Sequence, residues 1–201
     1  MGKSEVKRAV FLDRDGVLNR SVIREGKPYP PASAAEFQLY PDAISGCARL
    51  KAADFALIVA TNQPDVGRGT QKRATVEELH RMLRDLIPSI DRIEVCYHGG
   101  ESYGESCDCR KPGPAMLLRA ASEMGINLGA SYLIGDRWRD VDCARAAGCQ
   151  SVFIDWSYAE PLSTSPDFTV ANFTEAVDVV LREASTAVSS LEASSRGPLP
   201  K

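Results

Sequence analysis

The fold class predicted from the sequence is a three-layer α/β sandwich around a central parallel sheet, on three observations. Short β-like apolar runs recur at residues 8–12, 55–60, 92–96, 132–134 and 151–154. Segments of helical periodicity separate them, and that alternation builds parallel strands joined by crossover helices. The third is composition: 201 residues at 44% hydrophobic and 25% charged suit one globular core.

The first run ends directly on Asp13. Residues 20–40 show little periodicity and hold Pro28, Pro30 and Pro31; a connection that long in a compact domain is usually a functional loop, so it is expected to border a site. A helix over about 42–52 follows. The clearest helix starts at Thr75, where Thr75-Val76-Glu77-Glu78 has the form of a capping box and Val76, Leu79, Leu83 and Leu86 share a face. It is expected to stop near Ile87, before Pro88. Pro114 suits the first turn of a helix running to about Met124, which Gly125 can close in a left-handed conformation. Gly148 can do the same for a helix over 141–147. Residues 1–184 read as one domain, and 185–201, rich in Ser and Ala and ending in Gly197-Pro198-Leu199-Pro200, as a disordered tail.

Charge and hydropathy narrow the function. With 24 Lys and Arg against 27 Asp and Glu, the net charge of −3 is too near neutral to argue for nucleic acid. The longest apolar run, 55–60, falls far short of the roughly 18 residues a membrane span needs. Residues 9–12 are too few for a secretory apolar region, and Val6 stands where a myristoylation signal needs Ser or Thr. The expectation is a cytoplasmic monomer acting on a small molecule, with no membrane or nucleic-acid partner.

The most informative stretch is Val10-Phe11-Leu12-Asp13-Arg14-Asp15-Gly16-Val17-Leu18-Asn19. Acids at i and i+2 on extended backbone point the same way, and the C-terminal ends of parallel strands form the ligand crevice. Two close carboxylates repel unless a cation or a shared proton intervenes; Mg²⁺, which takes oxygen ligands and often bridges to phosphate, fits that need. Alone, Asp-x-Asp is as readily a turn whose acids bond local amides. Three later segments tell against the turn. Asp136 follows the run 132–134, with Asp140 and Asp142 close behind; Thr61 and Asn62 end the run from 55 and can donate to a phosphoryl oxygen; Arg110-Lys111 supplies a cationic clamp.

With these four elements in this order, the chain resembles the haloacid-dehalogenase-type (HAD) phosphohydrolases over roughly residues 10–154. Asp13 and Asp15 match the first element, Thr61 the second, Lys111 the third and Asp136 the fourth. The resemblance implies a Rossmann-like, HAD-like fold, and too little chain lies between Asp15 and Thr61 for a large cap domain. It implies phosphomonoester hydrolysis, in which Asp13 attacks phosphorus to give an aspartyl phosphate, and Asp15 protonates the leaving oxygen and then deprotonates water. Mg²⁺ would be held by Asp13, the Asp15 carbonyl and Asp136, while Thr61 and Lys111 hold phosphoryl oxygens. Within the superfamily the likeness is to the phosphatases of heptose bisphosphates, acting at the 7-phosphate in nucleotide-activated heptose biosynthesis, with the histidinol-phosphate phosphatases sharing most features. It implies substrate contacts from Ser21, Val22, Ile23, Arg24, Thr61, Asn62, Gln63, Pro64, Arg110, Lys111 and Arg137. The stretch Gln63-Pro64-Asp65-Val66-Gly67-Arg68-Gly69 departs from the shorter-side-chain Ser-Gly version of that branch, which leaves the ester open. A receiver-type phosphoacceptor module is also a parallel α/β sheet with clustered acids, but it places its acids on different strands and has no metal-clamped loop.

Cys96-Tyr97-His98 and Cys107-Asp108-Cys109 offer three thiols and an imidazole, the donor set of a closed structural Zn²⁺ site. Packed cysteines or a disulfide among the three are the competing readings. A metal there would fold the loop 99–106 and set Arg110-Lys111 beside it. Cys47, Cys143 and Cys149 read as small core residues, and His80, mid-helix beside Arg81, as exposed.

Overall fold

The computed structural model describes residues 7–24 and 27–195. Eight strands lie among them: β1 (Arg8–Leu12), β2 (Val22–Arg24), β3 (Lys27–Tyr29), β4 (Phe55–Asn62), β5 (Arg92–Cys96), β6 (Tyr132–Gly135), β7 (Gln150–Ile154) and β8 (Phe168–Val170). The helices are α1 (Ala43–Ala52), α2 (Pro64–Gly67), α3 (Arg73–Leu86), α4 (Ala115–Met124), α5 (Trp138–Ala147) and α6 (Phe173–Ser195). Six strands form one parallel sheet in the order β5-β4-β1-β6-β7-β8; β2 and β3 form a separate antiparallel hairpin.

Period-two side-chain alternation splits the core in two. Val10 and Leu12 of β1, with Phe55, Leu57 and Val59 of β4, face a layer holding Leu50 of α1, Leu79 and Leu83 of α3 and Phe173 and Val177 of α6. Phe11, Ile58 and Ala60 face Met116 and Leu117 of α4 and Cys143 and Ala144 of α5. Both faces are covered, which is why the strands read as continuous apolar runs. Cys47, Cys143 and Cys149 are buried, as expected. Among the described residues no helix is long and apolar enough to cross a membrane.

The five strands, α1, the Gly125 closure of α4 (φ 67°) and the Gly148 closure of α5 (φ 79°) lie where the sequence places them. Other boundaries differ. α3 starts at Arg73, not Thr75: the Gln71 side chain takes the Lys72 N–H at 2.9 Å, and Arg73 pairs with Glu77 at 2.7 Å, adding Arg73 and Ala74 before the capping-box residues. α5 starts at Trp138 because the Asp140 carboxylate accepts the Arg137 N–H at 3.1 Å. The 20–40 loop carries the β2–β3 hairpin, whose three-residue strands and proline leave no period to read, and β8 is equally short. α6 continues to Ser195 through much of the segment read as tail; Ala187, Leu191 and Ala193 are good helix formers whose signal the serines dilute. The remainder of that expectation, 196–201, lies outside the described residues.

Candidate active site

β1 sits mid-sheet, so the turn leaving it faces the turns leaving β4 and β6. Asp13 N–H donates to the Ile134 carbonyl at 2.9 Å and Leu18 N–H to that of Arg14 at 2.9 Å, closing a tight turn around Asp15 and Gly16. Gly16, at φ 86°, could carry no side chain: a Cβ would lie 1.8 Å from Asp136 Oδ2. Trp156 Nε1 donates to the Gly16 carbonyl at 2.8 Å and stacks on Tyr40, pinning the turn from outside.

This packing gathers Asp13, Asp136 and Asp140, each offering one oxygen within 4.8 Å of the others, all three buried. Burial raises the Asp13 carboxyl to about 6, with Asp140 and Asp15 adding to the rise and Lys111 opposing it. Burial, then the Asp13 and Asp140 charges, pushes Asp136 well above the ordinary carboxylate range. Asp136 Oδ1 is buried with no hydrogen-bond partner. An orphaned oxygen among converging buried acids is what a hard divalent cation satisfies, so the residues present fit Mg²⁺. The sequence assigns Asp140 no role; its spacing of four from Asp136, over a helix start, is the signal that points to it.

Lys111, 2% exposed, reaches the cluster from the segment before α4, with Nζ 3.1 Å from Asp13 Oδ2 and 2.6 Å from Asp140 Oδ1. Burial works against its charge, but the two carboxylates outweigh it and raise its pKa. Asn62 fixes it by a reciprocal pair of 3.0 Å bonds, amide to the Lys111 carbonyl and Lys111 N–H to the amide oxygen. The Asn62 amide is thus occupied as a splint.

The Asp15 carboxylate is not among the three converging acids. Its oxygens accept from Arg14 (2.9 to 3.2 Å), Asn19 Nδ2 (2.9 Å) and Gln63 Nε2 (2.8 Å). Gln63 also donates to Thr61 Oγ1 at 3.0 Å, which leaves the Thr61 hydroxyl proton free to donate elsewhere. His80 is not exposed: it lies on the buried face of α3 against Arg14, because the helical stripe Val76, Leu79, Leu83 continues through it.

These groups open on a cleft of about 250 Å³ lined by Asp13, Asp15, Ser21, Asn62, Pro64, Arg110, Lys111, Asp136, Arg137 and Asp140, with Pro28, Tyr29 and Pro30 from the hairpin, so the 20–40 loop does border it. Of the residues expected to touch substrate, Thr61 and Gln63 are buried behind that lining, and Val22, Ile23 and Arg24 lie outside it; the Ile23 side chain is exposed, and Arg24 reaches Glu36 and the Tyr29 ring. Arg137 reaches the cleft but pairs with Glu160. Arg68 and Arg139 join Arg110 on the wall; burial, then the Arg139 and Arg68 charges, lowers the Arg110 pKa.

Cys96, His98, Cys107 and Cys109 meet beside this wall. Cys96 Sγ lies 3.5 Å from His98 Nδ1 and 3.7 Å from Cys107 Sγ; Cys109 Sγ lies 3.3 Å from His98 Nδ1 and 3.5 Å from Cys107 Sγ. Tetrahedral zinc, at about 2.3 Å from sulfur and 2.0 Å from nitrogen, separates its donors by about 3.5–3.8 Å, so these residues fit it. All three thiols are free of disulfides. The loop is tied to the turn after β4 by Gln63 N–H to the Cys96 carbonyl (2.7 Å) and Gly67 N–H to the Tyr97 carbonyl (2.9 Å).

A parallel sheet with acids, a hydroxyl and a lysine converging at its C-terminal edge is the architecture of the HAD-like hydrolases, and the chain belongs to that family. The model of HAD-hydrolase-like proteins matches residues 108–176. Among particular proteins, the D-glycero-beta-D-manno-heptose-1,7-bisphosphate 7-phosphatase of Pseudomonas aeruginosa is 35% identical over 149 residues, covering 72% of this chain and 79% of the relative. Its namesake from Escherichia coli K12 is 36% identical over 147 residues, covering 69% and 74%. The crystal structure of the D,D-heptose 1,7-bisphosphate phosphatase from B. bronchiseptica, complexed with magnesium and phosphate, superposes with a TM-score of 0.72 at 29% identity, covering 89% of this chain and all of that one.

Proposed function

We propose that this protein is a Mg²⁺-dependent phosphomonoesterase that removes the 7-phosphate from a heptose 1,7-bisphosphate. The observation that carries the reading is the convergence of Asp13, Asp136, Asp140 and Lys111 at one end of an open cleft whose wall is rich in arginine. Asp13, Asp136 and the Asp15 carbonyl would hold Mg²⁺, with Asp140 as a further oxygen; when bound, the ion offsets the charge between a carboxylate nucleophile and a phosphate dianion.

An Asp13 oxygen forms the bond to phosphorus as the ester P–O bond breaks, and Asp15 gives its proton to the departing sugar oxygen. Water then attacks the aspartyl phosphate, Asp15 takes a proton from it, and the bond to Asp13 breaks to release phosphate. Lys111 and the Thr61 hydroxyl hold the phosphoryl oxygens. Asn62 and Gln63 act by fixing Lys111 and Asp15, a supporting part for two residues expected to touch substrate. The zinc cluster is structural: four protein donors leave no open position, and closing the loop sets Arg110 and Lys111.

Arg68, Arg110 and Arg139 favour a substrate with a second anion. A histidinol ester would bring a cationic amine toward three guanidinium groups, so it is the weaker reading. Phosphate release from a heptose bisphosphate, a panel of sugar monophosphates and histidinol phosphate tests it. Release should need Mg²⁺, favour the bisphosphate and vanish in Asp13→Asn. Release independent of Mg²⁺, or undiminished in that variant, would sink it.

A further inference from the structure

We propose that His80 is a positioning residue for Asp15, acting through the buried guanidinium of Arg14 as the neutral ring that carries its proton on Nδ1. The inference rests on the reading of Asp15 as the acid-base group. Arg14 has no exposed surface, although the acids on either side of it in sequence, Asp13 and Asp15, line the cleft. Its Nε and Nη2 bond the Asp15 carboxylate, and its remaining arm, Nη1, lies 3.0 Å from His80 Nε2. Guanidinium has only protons to give, so Nε2 must present a lone pair and the ring proton must sit on Nδ1.

The other groups acting on the ring agree with that state. Burial, then the Arg14 charge, holds His80 down near a pKa of about 3; Asp15 pulls the other way, and Arg84 adds a lesser push downward. The consequence is mechanical. Asp15 is a short side chain held by Arg14, Asn19 and Gln63, and the direction of the strongest of these donors is set from α3 by His80. Without the ring acceptor, Nη1 would be a buried donor with no partner, and the guanidinium would turn to find one, carrying the carboxylate with it.

The test compares His80→Leu and His80→Gln, whose amide oxygen can replace Nε2, on two esters with Mg²⁺ present. Proton donation matters for an alkyl leaving group and little for p-nitrophenolate, and kcat/KM reports the chemistry through departure of that group. His80→Leu should lower kcat/KM on the heptose bisphosphate about tenfold and on p-nitrophenyl phosphate by less than about threefold, and His80→Gln should restore most of the loss. An equal loss on both esters, or none on either, overturns the proposal while leaving the phosphatase reading intact; a wild-type protein inactive on both overturns the two together. If His80→Leu fails to fold, ¹⁵N NMR of the wild-type ring decides: an Nδ1–H tautomer that stays neutral while the protein stays folded supports the proposal, and an Nε2–H tautomer or an ordinary titration overturns it.

Discussion

In magnesium-free buffer the folded protein should lose stability as the pH rises from about 4 to 6, and Asp13 should account for a definable share. Its carboxyl titrates at about 6 in the fold and near 3.8 in an open chain. Between those values the unfolded chain has released the proton that the folded protein still holds, so folding takes up a proton and rising pH opposes it. At about 1.4 kcal/mol per pH unit, the gap is worth about 3 kcal/mol. For a chain of this length that is about 6–12 °C in Tm. Asp136 shifts in the same direction, so the total loss is larger. The isolating measurement is a difference: thermal unfolding of wild type and Asp13→Asn at several pH values, without and with Mg²⁺. Wild type should fall relative to Asp13→Asn by about 3 kcal/mol across that window, and saturating Mg²⁺, worth about 2.7 kcal/mol at a hundred times Kd, should return a comparable amount to wild type alone. A difference that stays flat with pH, or equal Mg²⁺ stabilisation of both proteins, would refute the placement of Asp13 in a desolvated cation site.

Other outcomes follow from the same geometry. Lys111→Met should lower kcat about a hundredfold or more, since it removes a preorganised cation beside the transferred group. Gly16→Ala should destabilise the protein by more than about 1 kcal/mol and depress turnover, because it needs a left-handed backbone and drives a methyl group into the Asp136 carboxylate; near-normal Tm and rate would show that the two turns are not packed as described. Elemental analysis should find about one zinc per chain, and stripping it should lower Tm and activity together. Arg139→Ala should raise KM for a bisphosphate more than for a monophosphate, read from initial rates on the two esters.

The strand ends and the acids on them were legible in sequence because each is a local pattern: an apolar run buried on both faces, then Asp13, Thr61 or Asp136 at the point where the run stops. The glycines closing α4 and α5 were legible for the same reason, since a left-handed residue is a property of one position. The cysteine and histidine cluster was also legible, being two short groups of uncommon side chains. Short elements such as the β2–β3 hairpin and β8 carried no period to detect, and the start of α3 depended on side-chain pairs that a capping pattern does not predict.

By itself the sequence determined the order of the elements, the chemistry available at each strand end, and the side chains of the cysteine and histidine cluster, all encoded within a few neighbouring residues. Tertiary structure alone decided which of those groups meet. It brought Asp140 beside Asp13 and Asp136, turned Asp15 to Arg14 and Gln63, employed Asn62 as a splint, left Arg24 outside the cleft and buried His80. These outcomes depend on how turns from strands distant in sequence pack at the edge of one sheet, and whether a polar side chain faces water or another polar group is settled only when that packing is complete.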